Sequence, residues 1–317
     1  MMKKSRYGKH SFLTFGYMRS EKMTSIRKRC GISRFKDQKA EKEFVRAYKD
    51  VFASFPRPTT IYDVKTSFGT VRVYYYVNEL SKMNVPLLLL HGRYTSSLMW
   101  KENLPAFMEK YPVYMIDIIG EPGLSVQTRP FVKSLDQAVW LEEMLVKLNL
   151  EKISLIGASM GGWAAVNYIR YFPGRVKSLT LLDPVFVFTP ISLTTVRQFL
   201  LFPLTKEKML PFLLNEKKVP LVDAMGRTVK IGMWKFLYRS PIPFRIKIRE
   251  LKEIRCPVLT IMAGRSPLHD SEKAVALGRK VVRRIEIENW KHASHALTFE
   301  LSDAVNRRIL AFLEKNG

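Results

Sequence analysis

The sequence predicts an α/β fold: a mostly parallel sheet flanked by helices, with a helical cap insertion. Three observations support this prediction. Short apolar runs of strand length, such as VPLLLLHG and VKSLTLLDP, alternate with segments of helix length. Two earlier runs flank the turn sequence SFG, which is typical of an antiparallel hairpin. Between residues 184 and 250 the alternation gives way to a stretch rich in Phe, Leu and Pro, which indicates an insertion.

The individual elements follow in chain order. Residues 35–55 carry apolar side chains at helical spacing and are followed by Pro56 and Pro58, so they predict an amphipathic lead-in helix. The hairpin strands are TIYDVKT and TVRVYYYV. Strands are then predicted at VPLLLLHG, VYMIDIIG, KISLIGAS and VKSLTLLDP. The helices between them are predicted at 98–110, 133–149 and GGWAAVNYIRYF. Two helices, at 193–202 and 205–214, are predicted in the insertion. After it the pattern continues with strands at PVLTIMAG and RRIEIEN and helices at 270–281 and 302–315.

These elements divide the chain into four parts: an extension at 1–34, a core at 35–183, the cap insertion at 184–250 and a second core part at 251–317. Residues 1–36 contain eleven Lys or Arg and a single acid, Glu21. That composition predicts a disordered extension with weak affinity for anionic surfaces. Elsewhere the basic residues behind the net charge of +25 are spread along the chain without a nucleic-acid-binding motif. We therefore expect no specific nucleic-acid partner.

Cysteine usage and hydropathy point to a cytoplasmic protein. Cys30 and Cys256 share no motif with each other or with histidine, so neither a disulfide framework nor a metal site is expected. No apolar run approaches the roughly 18–20 residues needed to span a bilayer. The N-terminal segment also lacks the long apolar core of a signal peptide.

The segment GASMG, residues 157–161, matches the pattern G-x-S-x-G. So short a pattern also arises by chance, and a passive serine in a Gly-rich turn is the alternative. Here, however, it follows a buried strand and opens a helix, which is the setting of a nucleophile elbow. The tight turn would expose the hydroxyl of Ser159, and side chains at Gly157 and Gly161 would clash at the crossing of strand and helix.

The segment HGRYTSSLMW, residues 91–100, begins at the end of an earlier strand. A serine hydrolase needs backbone N–H groups directed at the oxyanion of its intermediate. We expect one from Met160, directly after Ser159, and the second from Arg93 in this loop. His91 is interpreted as a structural histidine that supports the loop.

Four motifs together resemble the α/β-hydrolase superfamily: HG, DIIGEPGLS and GASMGG after successive strands, and HASHALTFELSDAVNRRILAFL near the C-terminus. The lead-in helix and TSFGTVRVYY resemble small bacterial carboxylesterases of the naproxen-esterase type. The resemblance spans residues 35–317. It implies a serine carboxylesterase that needs no metal or organic cofactor and cleaves a small apolar ester, thioester or lactone. Ser159 would be the nucleophile and His295 the general base.

His295 is preferred to His292 because Glu300 lies five residues beyond it and the closing helix follows. The acid that would complete a Ser–His–acid triad is harder to assign. The family usually has an acid about three residues after the glycine that ends the next strand, but counting from Gly264 in AGRSPLHD reaches Pro267.

Three alternatives follow for the acid. Asp270, the carboxylate of this loop, is ranked first, although it also suits the N-cap of the next helix. Asp183, at the end of LTLLD, is ranked second and would otherwise be a turn or cap residue. In the third alternative the site has no acid, which predicts a poor enzyme. A hydrolase that has lost activity and serves as a ligand-binding or interaction module is therefore the rival function.

Overall fold

The structure is a computed structural model of the 317-residue chain. It describes residues 31–198, 200–201, 211–212, 223–241 and 243–316. Residues 1–30 of the predicted extension, and almost all of the helix predicted at 205–214, lie outside the described residues. At the end of the predicted extension, Ser33 is buried and Arg34 belongs to a strand, so both residues are part of the folded body.

The strands of the described residues alternate with helices as the sequence predicts. In chain order they are β1 (Arg34–Phe35), β2 (Thr60–Thr66), β3 (Gly69–Tyr76), β4 (Leu87–Leu90), β5 (Val113–Ile116), β6 (Val126–Gln127), β7 (Ile153–Ala158), β8 (Val176–Leu182), β9 (Phe236–Leu237), β10 (Val258–Ala263) and β11 (Ile285–Trp290).

Within the described residues, nine of these strands form one sheet in the order β11-β10-β8-β7-β4-β5-β3-β2, with β6 paired to β3. The pairs from β11 to β5 are parallel, whereas β3 pairs antiparallel with β2, β5 and β6. The predicted hairpin and the mostly parallel sheet are both confirmed.

The helices are α1 (Gln38–Phe52), α2 (Leu104–Lys110), α3 (Asp136–Lys147), α4 (Met160–Tyr171), α5 (Ala224–Lys235), α6 (Ile248–Leu251), α7 (Ser271–Val281), α8 (Leu297–Glu300) and α9 (Ser302–Asn316), with a 3-10 turn at Ser97–Trp100. Helices α1, α3, α4, α7 and α9 end close to their predicted limits, whereas the helix predicted at 98–110 is a 3-10 turn followed by a shorter helix, and the sequence does not indicate α5, α6 or α8. Residues 193–198 and 200–201, in the helix predicted at 193–202, are helical. Across the described residues, we find no helix with the length and apolar character needed to cross a bilayer.

The sheet is buried on both faces, which explains the unbroken apolar strands. In β4, Leu88 and Leu90 pack into one core cluster and Leu87 and Leu89 into the other, because successive side chains of a strand point to opposite faces. Helices α3, α4 and α7 cover the first face, and α1, α2 and α9 cover the second. The result is a three-layered α/β domain.

The lead-in helix α1 fastens the insertion to the core. Lys235 of α5 forms an ion pair with Glu43 of α1, and β9 pairs with β1 directly before α1. Apolar residues of α1, among them Phe44 and Tyr48, are buried against the sheet. Since α1 contacts both the sheet and α5, it holds this side of the insertion over the carboxyl ends of the parallel strands, where sites in open α/β sheets form.

Candidate active site

Ser159 occupies the sharp turn between β7 and α4. Its backbone has φ 53° and ψ −118°, a strained conformation for a residue with a side chain. The turn is held because the Ser159 N–H donates to the carbonyl of Leu182 at 2.9 Å and the Ser159 carbonyl accepts from Gly162 N–H at 3.1 Å. The conformation directs the hydroxyl into a cavity at the carboxyl end of the sheet.

The two glycines of the GASMG motif are required by close backbone contacts. A Cβ atom on Gly157 would lie 2.5 Å from the carbonyl oxygen of Gly161. A Cβ atom on Gly161 would lie 2.1 Å from the carbonyl oxygen of Leu90 in the neighbouring strand. Both distances are far below van der Waals contact, so the motif reflects the steric needs of the turn.

His295 lies in the loop between β11 and α8 and contacts Ser159. Its Nε2 atom is 2.9 Å from the Ser159 hydroxyl oxygen, and its side chain is 14% exposed. The carboxylate of Glu300 accepts hydrogen bonds from the backbone N–H and the hydroxyl of Ser294, which fixes this loop. His292, the rejected alternative, is exposed on the surface.

Asp183 is the carboxylate that contacts His295. Its Oδ2 atom accepts from Nδ1 of His295 at 2.6 Å. Its other oxygen, Oδ1, accepts from the backbone N–H of Ala263 at 2.9 Å and from Nε2 of His269 at 2.8 Å. Asp183 follows β8 directly with φ 42°, and its N–H donates to the carbonyl of Ile261 at 2.8 Å.

The structure corrects the position predicted for Asp270. Asp270 caps the N-terminus of α7, where it accepts from Lys273 N–H at 3.0 Å and pairs with the Lys273 ammonium at 2.9 Å. Its side chain is 46% exposed. Both ring nitrogens of His295 are already engaged, by Ser159 and Asp183, so the first-ranked prediction is wrong at this point. The geometry matches the second-ranked alternative, Asp183.

The loop before α7 explains why Asp270 turns away. The carbonyl of Pro267 accepts from the hydroxyls of Ser192 and Thr195, both at 2.7 Å, and the hydroxyl of Ser271 donates to the carbonyl of Ala263 at 2.7 Å. These bonds fix both ends of the segment. They leave Asp270 at the start of the helix, where its carboxylate satisfies a free N–H group.

Asp183 is held as a carboxylate although it is fully buried. Burial alone would raise its pKa. Coulombic attraction to His269 and hydrogen bonds from His269 and His295 outweigh burial and bring the pKa of Asp183 well below its usual value. An ionised carboxylate therefore faces Nδ1 of His295.

Arg93 and Met160, the two residues predicted to bind the oxyanion, both line the cavity beside Ser159. Within the described parts of the chain, the N–H groups of Arg93 and Met160 donate to no protein acceptor. Gly92 brings the Arg93 loop close, because a Cβ atom on Gly92 would lie 3.3 Å from Cβ of Ser159. Both residues predicted to bind the oxyanion therefore lie beside Ser159, and their backbone N–H groups are available to a ligand.

The side chain of Arg93 belongs to a buried polar cluster that the sequence did not indicate. Its guanidinium donates to the Tyr238 hydroxyl at 2.7 Å and lies 3.6 Å from the carboxylate of Glu121. Glu121 accepts from the N–H of Tyr94 at 3.2 Å. Burial raises the pKa of Glu121 to about 7, although Arg93 acts in the opposite direction. The cluster fastens the loop that carries the Arg93 N–H group.

His91 supports its loop, as the sequence analysis proposes, and Asp117 makes structural contacts of the same kind. Nε2 of His91 accepts from Ile118 N–H at 2.9 Å, so Nδ1 carries the proton and donates to the Gly92 carbonyl at 2.8 Å. Burial lowers the pKa of His91, which keeps the ring neutral. Asp117 accepts from the N–H groups of Ser97 at 2.9 Å and Leu124 at 2.7 Å.

The cavity in front of Ser159 measures about 410 Å³. Its walls come from the core strands and from the insertion, and they are mostly apolar. The apolar residues include Met99, Leu182, Val185, Phe186, Ile191, Val229, Met233 and Leu268. Such a lining favours an apolar ligand with one polar reacting group near Ser159.

Comparison with known proteins agrees with the fold and with the geometry of the site. Residues 85–232 match the family model of the alpha/beta hydrolase fold. An uncharacterized carboxylesterase, nap, of Bacillus subtilis is 29% identical over 278 residues, which are 85% of this chain and 91% of the relative. The chain has the α/β-hydrolase fold and is similar to carboxylesterases over most of its length. The resemblance stated from its sequence motifs is confirmed.

Two further relatives agree with this assignment. Carboxylesterase YbfK of Bacillus subtilis is 27% identical over 286 residues, covering 85% of this chain and 93% of the relative. The crystal structure of naproxen esterase from Bacillus subtilis superposes with a TM-score of 0.79 and 26% identity, over 87% of this chain and 99% of that chain.

His269 contacts the buried carboxylate of Asp183, and the sequence did not indicate this contact. It stands directly before Asp270 in AGRSPLHD, where the sequence analysis considers only the carboxylate. In the structure its ring, not the carboxylate of Asp270, points to the buried acid. Among the described residues we find no cluster of three or more His, Cys, Asp or Glu side chains arranged to hold a metal ion.

Proposed function

We propose that this α/β hydrolase is a serine carboxylesterase whose catalytic triad is Ser159, His295 and Asp183. The hydrogen-bonded chain from Ser159 through both ring nitrogens of His295 to the buried Asp183 carries the proposal. The relatives that are named carboxylesterases support ester hydrolysis in general.

Acylation begins with attack of the Ser159 oxygen on the ester carbonyl carbon. Nε2 of His295 takes the hydroxyl proton, and Asp183 stabilises the imidazolium that forms. The carbonyl oxygen becomes an oxyanion, which the N–H groups of Arg93 and Met160 bind. When the tetrahedral intermediate collapses, the bond to the alcohol oxygen breaks and His295 returns the proton to the leaving alcohol.

Deacylation repeats these steps with water as the nucleophile. His295 removes a proton from the water, whose oxygen attacks the acyl carbon, and the same two N–H groups bind the second oxyanion. Collapse releases the carboxylic acid and returns the proton to Ser159. Every proton transfer uses groups already in place.

The cavity favours a small apolar substrate. Its walls offer apolar side chains to the acyl or alcohol group, while the N–H groups and His295 lie at the reacting centre. Moving a free carboxylate or ammonium group into such surroundings is costly. We therefore propose uncharged esters, thioesters or lactones as the substrate class.

Hydrolysis of p-nitrophenyl butyrate by wild type and by Ser159→Ala tests the proposal, with fluorophosphonate labelling of the same proteins. Ser67→Ala, at an exposed position of the hairpin turn, is the matched control. We expect turnover and labelling in wild type and in the control, and neither in Ser159→Ala. Wild type without Ser159-dependent turnover or labelling would instead favour a binding module that has lost activity.

A further inference from the structure

We infer that His269 is a positioning residue of this site: it donates a hydrogen bond to Asp183 and thereby sets how strongly the Asp183–His295 pair binds a proton. The inference deepens the proposed esterase function and rests on it. His269 lies in the loop after β10. In the α/β hydrolases that the sequence resembles, the corresponding loop usually supplies the acid. Here the same loop supplies a hydrogen-bond donor to an acid on the neighbouring strand.

The geometry gives each carboxylate oxygen of Asp183 its own histidine. Nε2 of His269 lies 2.8 Å from Oδ1, and Nδ1 of His295 lies 2.6 Å from Oδ2. The side chains of His269 and Asp183 are each 1% exposed. Water therefore has little access to Oδ1, and the two protein donors, His269 and the N–H of Ala263, satisfy that oxygen.

The ring of His269 is held in place from both sides of the loop. Ser192 N–H donates to the carbonyl of Leu268 at 2.7 Å, directly before His269. Two residues after it, the hydroxyl of Ser271 donates to the carbonyl of Ala263 at 2.7 Å. These contacts join the loop to the insertion and to the end of β10. The backbone on both sides of His269 is therefore fixed, and this keeps Nε2 of its ring beside Asp183 before any substrate binds.

A donor on Asp183 has a definite effect on proton binding. An ionised Asp183 accepts from Nε2 of His269, so this nitrogen carries the proton in the resting site. The bond stabilises the carboxylate and draws part of its charge away from His295. Without it, the Asp183–His295 pair would bind its first proton more readily, whichever of the two groups receives that proton. His295 must be unprotonated to act as a base. As the pH is lowered, activity would therefore be lost at a higher pH than in the wild-type protein.

Other charged groups near the pair are paired or turned toward solvent. Asp270, Glu272 and Lys291 line an open cleft beside His269, and Asp270 is paired with Lys273. On the other side, Glu300 binds Ser294 next to His295, and Arg93 is engaged by Tyr238 and Glu121. Within the described residues, the direct polar contacts of Asp183 come from the two histidines and from the backbone.

The first experiment compares His269→Leu, which has no donor, with His269→Gln, whose amide nitrogen occupies a place similar to Nε2. The pH profile of kcat/KM is measured for p-nitrophenyl butyrate, with His292→Gln as an exposed-histidine control. We expect the acid limb to move up by roughly one pH unit in His269→Leu. In His269→Gln and in the control it should stay within about 0.3 unit of wild type.

A residue that only fills space would behave differently. In that case both variants would lose stability and turnover at every pH, with the acid limb unmoved, and this result would overturn the inference. Melting temperatures of all four proteins show whether each variant is folded.

The second experiment needs neither turnover nor a folded variant. Nitrogen-15 NMR of histidine-labelled wild type reports which ring nitrogen of His269 carries a proton, and the His295 resonances report its titration. We expect a protonated, hydrogen-bonded Nε2 on His269. An unprotonated Nε2 between pH 6 and 9 would refute the inference. Because this readout needs no ester, failure of the proposed activity and failure of the His269 assignment are distinguishable.

Discussion

Asp183 accepts a hydrogen bond from Nδ1 of His295 at 2.6 Å although the two residues are 112 positions apart in the chain. Their strands, β8 and β11, flank β10, and all three end at the same edge of the sheet. The acid therefore reaches the histidine from the far side of the strand whose own loop was expected to carry it. The consequences for activity can be tested residue by residue.

Replacing Asp183 by Asn should abolish most of the activity. Asn cannot stabilise the imidazolium of His295, and its amide can hold the ring in the wrong tautomer. We expect kcat for p-nitrophenyl butyrate to fall by about 10⁴-fold, as in trypsin-like triads. Asp270→Asn is the matched control, because Asn caps a helix as well as Asp, and it should remain within about twofold of wild type. The opposite ranking of the two variants would restore Asp270 as the acid.

Replacing Gly161 by Ala should disrupt the turn that carries Ser159. The added methyl group would lie 2.1 Å from the carbonyl oxygen of Leu90, and no rotation of a side chain relieves a contact with backbone. We expect the free energy of unfolding in urea to fall by at least about 2 kcal/mol and fluorophosphonate labelling to slow.

Gly174→Ala is the control for this change. A Cβ atom on Gly174 has nothing within 4 Å, so its stability should stay within about 1 kcal/mol of wild type. If Gly161→Ala were as stable and as reactive as Gly174→Ala, the steric account of the motif would be wrong.

The apolar cavity predicts a preference for longer acyl chains. Each additional buried methylene contributes about 0.8 kcal/mol, so kcat/KM for p-nitrophenyl esters should rise roughly fourfold per methylene until the cavity is full. Met233 lines the cavity and is buried, so Met233→Trp should move the optimum to shorter chains. Met83→Trp, at a methionine that is 87% exposed, should leave it unchanged. A flat dependence on chain length would place the acyl group outside this cavity.

The sequence predicts most of the fold because its signals are local. Strand-length apolar runs, helical spacing and the flanks of GASMG each depend on neighbouring residues, and the structure confirms most of the strands and helices they predict. The helix predicted at 98–110 is an exception, since it is a 3-10 turn followed by α2. The placement of Ser159 beside His295 follows from the same logic, because parallel strands end at one edge of the sheet.

The acid depends instead on contacts between distant segments. Hydroxyls of Ser192 and Thr195, in the insertion, bind the carbonyl of Pro267 and decide which side chain of AGRSPLHD faces inward. Counting along the loop cannot reveal such contacts. The positive φ of Asp183, which follows from the turn after β8, is equally invisible in the sequence LTLLD.

The buried pair of Glu121 and Arg93 predicts an unusual dependence of stability on pH. The pKa of Glu121 rises from 4.5 to about 7 in the folded protein. Between these values the folded chain binds more protons than the unfolded chain, so the free energy of unfolding falls as the pH increases. The contribution of Glu121 is fully present below about pH 4.5 and is lost as the pH rises through about 7.

The comparison that isolates this effect is wild type against Glu121→Gln, in urea unfolding from pH 4.5 to 8. The amide oxygen of Gln can still accept from Tyr94 N–H but cannot titrate. The stability of wild type relative to Glu121→Gln should therefore increase, by on the order of 3 kcal/mol, as the pH is lowered from 8 to 4.5. Glu109→Gln, at an exposed position, controls for the loss of one carboxylate. A difference between wild type and Glu121→Gln that stays constant with pH would mean that Glu121 is ionised throughout, with Arg93 rather than burial controlling its pKa.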